Sequence, residues 1–141
     1  MEQLNWSDPV KLGEITLKNR IALAALTRQR CDPLDGVPTD VVSDYYCQRS
    51  GAGLMLTECV AWTQRGEAFP GAANLFNKDH MQGWKNVVDA VHKKGSHIFV
   101  QIFHGGRACL TETTRGFKPQ APSPIAIRDI HFETRKDHEV P

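Results

Sequence analysis

The sequence predicts an α/β fold organised around a parallel sheet, and three observations carry that expectation. Short apolar runs open near residues 21, 54 and 98, each bounded by polar or turn residues. Two amphipathic helical stripes fall between those runs. The resulting order, a hairpin and then β, α, β, α, β, is the rhythm of repeated right-handed βαβ units. With 141 residues, 40% of them hydrophobic, the chain is long enough for one ordinary globular domain.

Taken in order, Val10 and Leu12 form one arm and Ile15 and Leu17 the other around Gly13-Glu14, which suits a two-residue II′ hairpin. "RIALAAL", Arg20 to Leu26, is continuously apolar and reads as a strand covered on both faces. The turn-rich loop "TRQRCDPLDGVPTD" follows. From Asp40 to Ser50, Val42, Tyr45 and Tyr46 recur at helical spacing, with Thr39 or Asp40 as the cap and Gly51 as the stop. "GLMLTECV" is a second buried strand, and "AWTQRGEAFPGAANLFNKD" a loop of the length that usually serves function. In "MQGWKNVVDAVHKKG" the residues Met81, Trp84, Val87, Val88 and Val91 make one stripe, capped by Asn77 or Asp79 and stopped at Gly95. The third strand is "HIFVQIF", buried on both faces by its composition and interrupted by Gln101. After Gly106 the rhythm breaks, with proline and charge but no third helix. Three parallel strands and two helices leave sheet edges and helix surface uncovered, so the chain needs a partner or is a piece of something larger.

Charge and cysteine usage narrow the function classes. A net charge of +1 gives no field that would favour nucleic acid or an anionic membrane. No apolar run approaches the roughly 20 residues a membrane span needs, and "MEQLNWSDPV" lacks the regions of a secretory signal. Cys31, Cys47, Cys59 and Cys109 form no C-x-x-C pair, which reads as reduced thiols and a cytoplasmic protein.

Parallel sheets place ligand sites at the carboxyl ends of their strands. Thr27, the Thr57-Glu58-Cys59 run and the Gln101 to Arg107 run occupy those ends and are expected to converge on one face. Thr27 serves either as a turn-capping hydroxyl or as a ligand donor. Gln101 places an amide inside an apolar strand, and that amide needs a donor and an acceptor, from a pyrimidine-like ligand edge or from neighbouring backbone. Glu58 reads as a base or, in preference, as the internal partner of an arginine. His104 reads as structural, and Gly105-Gly106 permit close backbone approach. "SGAGLM" precedes a strand and lacks a third glycine, so it is no dinucleotide fingerprint, and no P-loop or metal-ligand spacing occurs.

Six segments in order, "LGEITLKNRI", "AALTRQR", "DYYCQRSGAGLMLTE", "PGAANLF", "GWKNVVDAVHKKG" and "VQIFHGGR", with "QAPSPIAI" as a weaker continuation, together resemble the Old Yellow Enzyme family of flavin-dependent alkene reductases. The resemblance implies a (β/α)8 barrel preceded by a β-hairpin, FMN at its carboxyl-terminal mouth, NADPH or NADH as hydride donor, and an α,β-unsaturated carbonyl as the small-molecule substrate. It implies that Ala25, Leu26 and Thr27 contact the flavin after the first strand, where the family usually has proline in place of Ala25. It further implies that Cys59 offers its backbone amide, that the Gln101 amide meets the pyrimidine edge, and that Phe103 lines the substrate side. His104 and Arg107 fall in a strand-end motif of structural character. The family's substrate-polarising pair, proton-donating tyrosine and phosphate site have no counterpart in this chain, so no catalytic residue is expected here.

The resulting expectation is an incomplete FMN-binding barrel over 1–141: a hairpin lid at 10–17, the first three strands with two helices over 20–107, and an irregular connection over 108–141. Its function would be that of the N-terminal portion of a reductase, inactive alone. The alternatives are a non-catalytic interaction module using its free sheet edges, and a stand-alone flavoprotein, which the absence of a phosphate-cradling loop disfavours.

Overall fold

The structure, a computed structural model, describes residues 5–132 and 134–141; the first four residues of the N-terminal stretch lie outside them. A two-stranded antiparallel hairpin, β1 (Val10–Leu12) and β2 (Ile15–Leu17), comes first, with Leu12 opposite Ile15. Gly13 takes φ +59° while Glu14 stays at negative φ, which is the II′ rather than the I′ pattern. The chain then runs through β3 (Ala22–Leu23), α1 (Asp40–Gln48), β4 (Leu54–Ala61), β5 (Ala73–Asn74), α2 (Lys78–His92) and β6 (His97–Phe103).

β4 is the hub of the main sheet. It pairs in parallel with β6 along its length, with β3 at Leu54 and Met55, and with β5 at Val60 and Ala61. The three principal strands therefore lie side by side in chain order, β3, β4, β6. The two helices pack on each other and share one core with the sheet: Val42 and Tyr46 from α1, Met55 and Val60 from β4, Trp84, Val87 and Val91 from α2. Sequential parallel strands with crossover helices on one face are the section of a singly wound barrel, whereas a doubly wound sheet reverses its order at a switch point.

α2 is anchored at both its start and its middle. Asn77 caps it by accepting the His80 N–H at 2.8 Å, and Trp84 donates its indole N–H to the Asn74 carbonyl at 3.1 Å. His80 is fully buried, with Nδ1 accepting the Phe76 N–H and Nε2 meeting the Asp35 carbonyl. The buried stripe is consequently His80, Trp84, Val87 and Val91, while Met81, expected in the stripe, is 56% exposed. One residue of phase, about 100° around the helix, separates the two readings, because a histidine satisfied on both nitrogens is as easily buried as a methionine.

Two further expectations are corrected. The first strand, expected over Arg20 to Leu26 and covered on both faces, has its ladder confined to Ala22–Leu23, and Ile21 and Leu26 are exposed. β6, by its composition a strand buried on both faces, has Phe99, Val100 and Ile102 exposed and among the described residues pairs with β4 alone. In both cases the composition is that of a strand with neighbours on every side, and the described residues supply a neighbour on one side only. The long loop before α2 holds structure of its own, a 3-10 turn at Gln64–Gly66 and the short strand β5.

Among the described residues of 108–141 there is no helix beyond the 3-10 turn Gly106–Ala108 at the segment's start. Side chains fasten this segment to the sheet end. Arg107 donates to the Ile125 carbonyl and the Ser123 hydroxyl, Gln64 donates to the Thr114 carbonyl, and Arg115 pairs with the buried Glu67 at 3.3 Å. Gly105 is required for close approach: a Cβ there would lie 2.6 Å from the Cys109 sulfur and 2.7 Å from Ala68 Cβ.

Candidate functional site

The carboxyl ends of β3, β4 and β6 converge as the sequence predicts, and a β-bulge in β4 sets which side chains meet. Leu56 pairs with Phe99 and Cys59 with Gln101, so Thr57 and Glu58 together oppose the single residue Val100. The Thr57 hydroxyl repairs the interrupted ladder by accepting the Gln101 N–H at 3.0 Å. Without the extra residue, alternation along the strand would set Glu58 opposite Gln101. With it, Cys59 takes that place and Glu58 turns into the protein.

Glu58 then does structural work that the sequence reading missed. Fully buried, it accepts the Arg28 N–H at 2.8 Å and the Gln29 N–H at 3.2 Å through Oε2. Its own N–H donates to the Tyr46 hydroxyl of α1 at 2.7 Å. The expected ion pair with an arginine side chain is replaced by this backbone clasp; the contribution of Arg28 beyond its amide is its charge. Burial pushes the Glu58 carboxyl above its ordinary range, and the two amides pull the other way. Gln29 adopts φ +51°, a left-handed conformation that the clasp helps to hold. The Arg28 guanidinium lies 4.9 Å from the centroid of the Tyr45 ring, whose other neighbour, Arg49, is at 3.8 Å.

The clasp fixes the loop that carries the candidate ligand groups. Ala25 and Leu26 lie between the end of the β3 ladder and the clasped amides, Ala25 half-buried and Leu26 exposed. Thr27, one residue before the clasp, places its hydroxyl 3.3 Å from the Cys59 sulfur. Cys59 in turn is the direct register partner of Gln101, whose side-chain amide is exposed and has no partner among the described residues. A hydroxyl, a backbone position beside a half-buried thiol, and a free primary amide thus line one open mouth. Phe103 stands two residues beyond Gln101 on the same face, 6.5 Å from the Phe69 ring centroid to centroid.

His104 and Arg107 are both engaged by hydrogen bonds close to the strand end. His104 Nδ1 accepts the Gly106 N–H at 3.0 Å, and its ring rests against Gly66. Among the described residues no group of His, Cys, Asp and Glu forms a metal site, and no helix is long and apolar enough to cross a membrane. All four cysteines are free.

Sequential parallel strands with crossover helices on one face and a polar mouth at their carboxyl ends define the N-terminal part of a (β/α)8 barrel. A profile of the NADH:flavin oxidoreductase / NADH oxidase family matches residues 7–139, and the chain belongs to that family. Morphinone reductase, solved in complex with tetrahydroNAD, superposes with a TM-score of 0.85 at 31% identity, covering 99% of this chain and 40% of its own. The Old Yellow Enzyme homologue of Zymomonas mobilis superposes with a TM-score of 0.91 at 34% identity, covering 97% of this chain and 39% of its own. Among curated relatives, 12-oxophytodienoate reductase 2 of Arabidopsis thaliana is 37% identical over 84% of this chain and 30% of its own length. A probable inactive reductase of Epichloe festucae var. lolii is 36% identical over 92% of this chain and 37% of its own. The chain spans well under half the length of the relatives it matches.

Proposed function

We propose that this chain supplies the first share of an FMN-dependent NAD(P)H reductase acting on activated C=C bonds of enals and enones, and that alone it does not turn over. The observation that carries the reading is the convergence of Thr27, Cys59 and Gln101 at one open strand-end mouth. In this reading the Thr27 hydroxyl and the Cys59 backbone meet one side of the FMN ring and the Gln101 amide meets its pyrimidine edge, with Ala25 and Leu26 against the ring. The chemistry such a cofactor supplies is hydride transfer between a nicotinamide and the alkene. Glu58 holds the Thr27 loop in place, and Phe103 borders the space for substrate. No residue of this chain is assigned a proton-transfer role. One relative is described as a probable inactive reductase, so similarity across this stretch does not by itself establish turnover. A cytoplasmic location belongs to the same reading, supported by four free cysteines.

FMN titration followed by flavin fluorescence, together with NADPH oxidation in the presence of cyclohexenone, tests the proposal. Weak flavin quenching that weakens further in Gln101→Ala and Thr27→Ala, with no NADPH oxidation, is expected. Stoichiometric FMN and turnover by residues 1–141 would overturn the claim of inactivity, and quenching indifferent to both substitutions would overturn the site. The alternative of a non-catalytic interaction module draws support from the free edge of β6. A defined complex through β6, with no response to FMN, would favour it.

A further inference from the structure

β6 has one occupied edge and one open one. Its Gln101 N–H donates to Thr57 Oγ1 and its His97 N–H to the Gly53 carbonyl, both on the β4 side. Peptide groups alternate sides along a strand, so Ile98, Val100 and Ile102 aim their N–H and C=O groups at the open edge. Among the described residues no strand meets them. The side chains there are apolar and uncovered, with Phe99 49%, Val100 42% and Ile102 57% exposed. From His97 to Phe103 there is no lysine, arginine, aspartate, glutamate or proline, the residues by which natural edges keep other strands away.

This edge is matched to itself. Turned end over end about Val100, the strand sets Ile98 opposite Ile102 and Val100 opposite Val100, so one face of the pair is apolar throughout. The three edge-facing residues are symmetric about the same centre, and the N–H and C=O of each would find a partner on the other copy. Ile98 packs on the core beneath the helices, and alternation puts Val100 and Ile102 on that side as well. There Trp84 and Val88 of α2, with Ile98 and Val100, border an open hollow of about 320 Å³. Antiparallel pairing would bring the second copy's Ile102 beside Ile98, over that hollow. We propose that two copies of this chain associate through β6, antiparallel about a two-fold axis at Val100, each covering the other's hollow with Ile102. The pairing rests on β6 and α2 and is independent of the flavin reading.

Sedimentation velocity over a concentration series of the chain is expected to show a monomer–dimer equilibrium, and a chain monomeric throughout would overturn the proposal. Because Val100 would meet its own copy, Val100→Lys and Val100→Glu each place like charges directly opposite, and each should weaken the dimer by at least about tenfold. Mixed in equal amounts, the two variants should regain association, since the axis then carries opposite charges. A mixture that stays monomeric, or single variants that associate like the native chain, would overturn the axis at Val100. A cysteine introduces no charge and tests the register separately. Under mild oxidation Val100→Cys should cross-link residue 100 to residue 100, as mass spectrometry would identify, because facing Cα atoms in such a pair stand about 5.5 Å apart. Ile98→Cys should not cross-link to itself, its two copies lying four residues out of register, roughly 13 Å along the ladder. Equal cross-linking by the two variants, or none by Val100→Cys, would overturn the pairing.

Discussion

Glu58 sits fully buried with one carboxylate oxygen on the Arg28 and Gln29 amides and the other without a partner among the described residues. Glu58→Leu would leave two part-buried N–H groups without their acceptor, and at about 1–3 kcal/mol each the expected loss is about 2–6 kcal/mol in urea unfolding, with faster amide exchange at Arg28 and Gln29. The same residue gives a pH signature. Burial raises its folded carboxyl above the ordinary value of 4.5, against the pull of the Arg28 and Gln29 amides, so the folded state holds the proton more tightly than the unfolded one. Its contribution is therefore fully present below the ordinary value and is lost as pH rises through the elevated one. Glu67, raised by burial and lowered in part by Arg115, has the same sign. Denaturation midpoints measured from acid to neutral pH should show Glu58→Gln gaining on the native chain as pH rises. Thiols offer a second check. Burial lifts the Cys31 thiol to about 12 and the Cys109 thiol to about 11, while Cys47 and Cys59 are half-buried. A disulfide reagent at mild alkaline pH should label Cys47 and Cys59 in the native chain, and Cys31 and Cys109 only after unfolding.

At the scale of elements, Trp84 ties α2 to the sheet, its ring in the core shared with α1 and β4 and its indole N–H on the Asn74 carbonyl of β5. Trp84→Ala should cost about 3–5 kcal/mol, and Trp84→Phe, which keeps most of the apolar surface but leaves that carbonyl unpaired, about 1–3 kcal/mol; urea midpoints distinguish the two. These elements were legible because their signals are local: the spacing of Trp84, Val87 and Val91, the Asn77 cap, and the glycine of the II′ turn. The convergence of Thr27, Cys59 and Gln101 was legible too, since polar residues ending apolar strands share one end of a parallel sheet. The bulge was not, because it exists only in the register between β4 and β6. The clasp by Glu58 was not, because its partners are amides some 30 residues earlier whose freedom depends on a loop shape the sequence does not spell out.

For the molecule as a whole, burial was the least legible quantity, since Phe99, Val100 and Ile102 have the composition of an enclosed strand and are exposed here. An open apolar edge of this kind favours association, so Ile102→Lys should reduce self-association in sedimentation experiments while leaving far-UV circular dichroism unchanged. Such a substitution leaves the mouth intact, because Ile102 falls on the opposite side of the alternation from Gln101 and Phe103. That alternation returns attention to the bulge at Thr57 and Glu58. It gives the two halves of β4 opposite parity, so that Met55 and Val60 both face the helices although they are an odd number of residues apart. Changing the strand's length here by one residue would exchange the buried carboxylate with the mouth-facing thiol position, whereas a change of two would restore the phase. Insertions and deletions at this point should therefore be tolerated in even steps and rejected in odd ones, a rule about counting that no hydrophobicity profile contains.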